Sequence, residues 1–117
     1  MPGPDGKVAG GTFEIEGQRF NCYNGGPRFT FSQAISMMIE AADQDEIDHF
    51  YDSLSEGGEQ LPCGWLTDKF GLSWQVTPKI LMNLLSDPDR DKANRAAEAM
   101  FKMTKIIIAD LEAAATG

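Results

Sequence analysis

From Thr12 to Glu16 the chain alternates polar and apolar residues, the two-residue period of a half-buried strand. Gly17-Gln18 reads as a turn, and Arg19 to Tyr23 returns as the second strand of a hairpin. Asn24-Gly25-Gly26-Pro27 closes that strand, because Asn and Gly accept positive φ and Pro cannot extend a ladder. Residues 34–39, Ala-Ile-Ser-Met-Met-Ile, form a mostly apolar strand. Asp43, three residues before Glu46, sets up a capping box. Ile47, Phe50, Tyr51 and Leu54 then recur at helical spacing, and Gly57-Gly58 supplies the stop. Strands are expected around Cys63–Leu66 and over Leu72–Thr77, joined by a turn at Asp68–Gly71. Beyond Thr77 the period becomes helical. Thr77 is the expected cap with Pro78 in the first turn, and Ile80, Leu81, Leu84 and Leu85 are the buried face. Asp87-Pro88 starts a second helix carrying Ala93, Ala96, Ala97, Met100 and Met103, and a third covers Ile108 to Ala114. The order ββ, β, α, β, β, α, α, α predicts an α+β fold with helices on one side of a mixed sheet.

At 117 residues, the chain is read as a single domain. Hydrophobic residues at 42% and charged residues at 24% are ordinary for a globular protein and exclude a coiled coil or collagen. Asp+Glu number 18 against Lys+Arg 10, a net charge of -8. No basic surplus exists to displace counterions, so no nucleic-acid partner and no anionic membrane surface is expected. No apolar run approaches the ~20 residues that span a bilayer. Residues 1–11 are Gly- and Pro-rich and expected to be mobile. They lack the basic and apolar regions of a signal peptide, so a reduced, cytoplasmic protein is expected. One His and two Cys cannot build a closed zinc site.

Three stretches carry more than their period. They are Asn24-Gly25-Gly26-Pro27 with Phe29-Thr30-Phe31, then Asp68-Lys69-Phe70-Gly71-Leu72-Ser73-Trp74-Gln75-Val76, and then Met100 to Ile106 ahead of Leu111-Glu112. Together they resemble the PhnB-like branch of the glyoxalase/bleomycin-resistance, or vicinal oxygen chelate, superfamily. Many of its members carry the label 3-demethylubiquinone-9 3-methyltransferase. The resemblance implies βαβββ modules whose sheets curl around a cavity built from paired modules. It implies here an incomplete first module (12–23), a second module (about 34–77) and C-terminal helices (about 78–114). A homodimer with swapped or shared modules follows as the expectation. In metal-dependent relatives, His and Glu side chains hold a divalent ion. By the resemblance, Gln75 stands at the Glu position, Ala34 at the His position and Asn24 near a third. A neutral amide brings no charge to a hard cation, so a metal-free site with no cofactor is expected.

Gln75 is the leading cavity residue, with Ser73 on its side of the strand and Leu72, Trp74 and Val76 on the other. It either offers its amide to a ligand oxygen or is satisfied by neighbouring backbone. Ser36 and Met38, with Ala34, are expected to line the same cavity, while Ile35, Met37 and Ile39 pack under the helix. Met38 in a pocket would adapt to varied ligands, but a methionine is more commonly a core residue, and that reading leads. Trp74 is expected in the core, and Trp65 is open between core and ligand stacking. Cys63, near the cavity, reads as an inert thiol unless a base lowers its pKa, and His49 as a solvated helix residue. The Asp43–Asp48 carboxylates are explained by the helix dipole, and Asp87, Asp89 and Asp91 lack the Gly and Glu of a calcium loop. Ile106-Ile107-Ile108 suits a subunit contact or cover by the chain's own sheet. The favoured function is binding of a small-molecule ligand without metal. The alternatives are a metal-dependent glyoxalase or dioxygenase-type enzyme completed by a partner chain, and an acidic interaction module. The methyltransferase label gains no support, since no recognised S-adenosylmethionine motif occurs.

Overall fold

A computed structural model describes residues 6–117, so the first five residues of the Gly- and Pro-rich start lie outside it. The chain forms two compact units that divide after Thr30. In the first, β1 (Gly10–Ile15) and β2 (Gln18–Tyr23) pair antiparallel, with Phe13 opposite Phe20 and their rings stacked at 5.3 Å. The turn is Glu16-Gly17, one residue earlier than expected. Both residues have positive φ (53° and 78°), which matches the twist of a two-residue hairpin loop and returns Gln18 to the strand.

The second unit begins with β3 (Ser36–Ala41), shifted two residues from the expected strand. Ala34 precedes it, its N–H donating to Ser32 Oγ at 3.3 Å, and Ile35 is exposed rather than under the helix. The helix α1 (Gln44–Ser55) starts as its sequence dictates. Glu46 N–H donates to Asp43 Oδ1 at 2.9 Å, and Glu46 Oε1 accepts from Ala42 N–H at 3.1 Å. Ile47 and Tyr51 are fully buried, with Phe50 and Leu54 packed beside them. The short strand β4 (Glu59–Gln60) escaped the sequence pattern because two residues carry no period. Cys63, expected in a strand, sits instead in a 3₁₀ turn, Pro62–Gly64, at φ 64°. The turn is fixed by long-range partners, since Cys63 N–H donates to Met103 O and Gly64 N–H to Thr104 O. Gly64 is required there: a Cβ would stand 2.8 Å from Val76 O, and its φ is +82°.

Strands β5 (Trp65–Thr67) and β6 (Ser73–Pro78) follow. Between them Asp68 Oδ1 accepts from Phe70 and Leu72 N–H, Asp68 Oδ2 accepts from Trp74 Nε1 at 2.9 Å, and Gly71 takes φ 88°. The sheet order is β3-β6-β5-β4, with β3 and β6 parallel and the other pairs antiparallel. Residues 36–78 are thus one βαβββ module, the unit the resemblance implies, in an α+β fold.

Pro78 ends β6 rather than opening a helix, because Lys79 N–H donates to Ala41 O and carries the parallel ladder one residue further. The helix α2 (Ile80–Leu85) therefore starts without a side-chain cap. The cap of α3 (Arg90–Phe101) is Asp89, two residues past the expected start, with Asp87 Oδ1 accepting from Asp89 N–H. Ala93 and Ala96 are its buried positions. The last helix is α4 (Ile108–Thr116). One core joins Ala41, Leu66 and Val76 of the sheet to Ile47 and Tyr51 of α1 and to Leu81, Ile106 and Leu111. Ile106, one option for a subunit contact, belongs to this chain's own core. Gln44 secures the approach to α4: its Nε2 donates to Ile106 O at 3.0 Å and its Oε1 accepts from Ile108 N–H at 2.8 Å. Lys105 bridges Asp48 at 3.2 Å and Asp52 at 2.9 Å. Among the described residues, no helix is long and apolar enough to cross a membrane.

Candidate functional site

Side chains alternate across a sheet, so β6 divides cleanly. Trp74 and Val76 point toward α1 and the core. Ser73, Gln75 and Thr77 point the other way. The register brings Ser36 and Thr67 beside Ser73, and Met38 and Trp65 beside Gln75. Five of the sequence candidates, Gln75, Ser73, Ser36, Met38 and Trp65, therefore lie on one sheet face. This is the face away from the helices. Gln75 is half-buried, and its Nε2 donates to Ser36 Oγ at 2.9 Å. The partner is a side chain, not the neighbouring backbone. Ser73 is fully buried, and its Oγ has no hydrogen-bond partner. Met38 is 54% exposed, which places it outside the core. Trp65 is half-buried, while Trp74 packs on the core as expected.

Two candidates stand apart from that row. Asn24 belongs to the hairpin unit, where its N–H donates to Ala9 O and its Nδ2 to Val8 O. Cys63 sits in the 3₁₀ turn just before Trp65, half-buried and free of any disulfide. Thr67, Thr77, Glu40 and Glu59 share the open face and were not singled out from the sequence. The alternation of Trp65, Leu66 and Thr67 around a buried Leu66 was the available signal, but it needed the start of β5 to be known.

The donor set decides what this face can hold. It offers one amide, hydroxyls, a thioether and an indole. Glu40 and Glu59 are its carboxylates, and they lie on opposite edge strands of the sheet. Three strand spacings across and four residues along the strands separate them by roughly 19 Å. They cannot share one ion, and neither faces a His or Cys across the register. Among the described residues, no group of three or more His, Cys, Asp or Glu comes together. These residues do not fit a hard divalent cation of the kind the resemblance attaches to metal-dependent relatives. His49 is exposed on α1, its ring 5.2 Å from Phe50, so it lies on an element of the opposite face.

Groups with a shifted pKa also lie away from the open face. Gln44 and then Lys105 hydrogen-bond Asp48 and hold its carboxyl below the ordinary value. Burial alone would lower Lys105, but its hydrogen bonds with Asp52 and Asp48 raise it. Burial pushes the Tyr51 hydroxyl up, and that hydroxyl donates to Leu61 O at 2.9 Å and Trp65 O at 3.0 Å. These groups tie α1 to its neighbours. Two surface clefts, of ≈ 380 Å³ beside the Asp68–Phe70 turn and ≈ 540 Å³ between α3 and α4, are lined by other residues.

The family model described as 3-demethylubiquinone-9 3-methyltransferase matches residues 1–77. A PhnB protein from Bacillus cereus, carrying the same methyltransferase label, is similar in structure with a TM-score of 0.59. The two are 34% identical, over 67% of this chain and 70% of that one. No curated protein matches the chain.

Proposed function

The chain belongs to the 3-demethylubiquinone-9 3-methyltransferase-like (PhnB) family, and from that premise we propose that it binds a small molecule on the open sheet face without a metal. The single observation that carries the reading is the hydrogen bond from Gln75 Nε2 to Ser36 Oγ at 2.9 Å. It joins two neutral residues, from two strands, on a face that no helix of the module covers. By the resemblance, Gln75 occupies the place of a carboxylate ligand, and the pairing commits its amide nitrogen to a hydroxyl. The face is polar at its middle and apolar at Met38 and Trp65, the composition of a ligand site rather than of a core.

The proposal includes a homodimer in the cytoplasm. One module curls one sheet, and a second copy facing it encloses the ligand from water. Native mass spectrometry of protein purified without added metal tests ligand, metal and dimer together. The expected result is a metal-free dimer, with any added small-molecule mass lost on Gln75→Leu. A stoichiometric divalent ion retained through buffer exchange overturns the metal-free reading in favour of an enzyme completed by its partner. A metal-free monomer overturns the dimer.

A further inference from the structure

We propose that the ligand of this face is uncharged at the end that meets Gln75, and presents there a hydrogen-bond donor beside an acceptor, as a carboxamide or lactam does, attached to a flat apolar body. The inference rests on the reading of the open face as the binding site and names the class of molecule it takes.

The argument is a count of hydrogens. Gln75 Nε2 donates one of its two hydrogens to Ser36 Oγ, so Gln75 Oε1 is left as an acceptor, and the second amide hydrogen and the Ser36 hydroxyl hydrogen as donors. Turning the amide over exchanges these roles. Oε1 would then accept from Ser36, leaving both amide hydrogens as donors and Ser36 Oγ as an acceptor. Either way the pair keeps two donors and an acceptor. A carboxylate, with acceptors only, leaves the acceptor unanswered, and an ammonium, with donors only, leaves the donors unanswered. A carboxamide answers both from adjacent atoms.

Burial and charge point the same way. Ser73, beside Ser36 in register, is fully buried with an unpartnered hydroxyl. Such a group is costly unless something bonds it. It stands one strand spacing, about 4.8 Å, from Ser36. That hydroxyl is closed to solvent as the strands stand, so a carbonyl oxygen held by Ser36 gains it as a second donor only when the side chains covering it shift. The face carries no Lys, Arg or His to neutralise an anion, and it adds Glu40 and Glu59 at its edges. An anionic head would be desolvated without a partner. Met38 and Trp65 flank Gln75 on either side in one row across three strands. A thioether and an indole suit a flat ring lying across that row.

Matched probes of one shape and different charge test this. The full chain, isotopically labelled, is titrated with benzamide, benzoate and benzylamine, and shifts are followed by NMR. The expected result is saturable movement of the Gln75 side-chain amide and of the Ser36 and Ser73 backbone with benzamide, at least tenfold tighter than with either ion. Gln75→Glu should weaken benzamide and favour benzamidine, whose two donors match a carboxylate. Ser36→Ala, a smaller change to a half-buried site, should weaken benzamide severalfold if Gln75→Glu fails to fold. Benzoate or benzylamine binding these same residues as tightly as benzamide overturns the ligand class and leaves the site standing. Shifts confined to residues off this face, or none with any probe at millimolar concentration, overturn the site together with the class.

Discussion

The two faces of the four-stranded sheet are built from the same strands by alternate residues, yet they obey different rules. On the helix side Ala41, Leu66 and Val76 are fully buried in a core shared with Tyr51, Ile106 and Leu111. Every residue there is explained by close packing. On the other side Met38 is exposed, Gln75 half-buried, and Ser73 buried with its hydroxyl unpartnered. Stability alone would replace that hydroxyl with a methyl group, because an unpartnered buried donor costs roughly 1–3 kcal/mol. One face is therefore accounted for by folding, and the other is where the proposed ligand would be met.

Substitutions that cross this division should separate the two faces by size and then by sign. Leu66→Ala on the helix side should cost about 2–5 kcal/mol in urea denaturation. Met38→Ala, two strands away on the open face, should stay within about 0.5 kcal/mol. Tyr51→Phe strands the Leu61 carbonyl and leaves Trp65 O with the Leu61 N–H alone, and should cost roughly 1–3 kcal/mol. Asp43→Ala, which removes the cap of α1, should cost about 1 kcal/mol. Ser73→Ala should go the other way, with an unchanged or higher midpoint, while weakening benzamide. A midpoint that falls as far as for Leu66→Ala would erase the difference between the faces.

The smallest effect is electrostatic and belongs to the helix side. Asp48 titrates below its ordinary 3.8, so its contribution is complete above that pH and is lost as the pH falls through the depressed value. Lys105 titrates above 10.5, so its contribution is complete below that pH and is lost as the pH climbs through the raised value. Lys105→Met should flatten the alkaline limb of a stability–pH curve and only shrink the acid one, because Gln44 still holds Asp48. The open-face variants should leave the curve unchanged in shape.

Much of this division was legible before any coordinates. Period alone placed α1, because its cap and its apolar face both act within a few residues. Gln75, Ser73, Ser36 and Met38 were assigned to one side by strand alternation, and the register puts them there. Other features depended on distant partners. Cys63 left the strand because its N–H bonds Met103, forty residues away in sequence. Pro78 ended a strand because Lys79 pairs with Ala41. Ile35 fell outside because β3 starts one residue later, a choice set by pairing with β6 rather than by apolar character. The hydrogen bond between Gln75 and Ser36 spans two strands and has no trace in local pattern. The unpaired hydroxyl of Ser73 is a property of its surroundings, and no reading of residue 73 alone contains it.

Gln44 deserves a last consequence. Its side-chain amide reaches Ile106 O and Ile108 N–H together, so it stands in for a peptide group of an absent neighbouring strand. The approach to α4 is thereby latched by one exchangeable side chain instead of a ladder. The Ile108 amide proton then becomes a gauge of that latch, and its deuterium uptake reports release of the C-terminal segment while the sheet amides stay protected. Gln44→Ala would speed exchange at Ile108 ahead of Val76, and so divide the opening of the tail from the melting of the module.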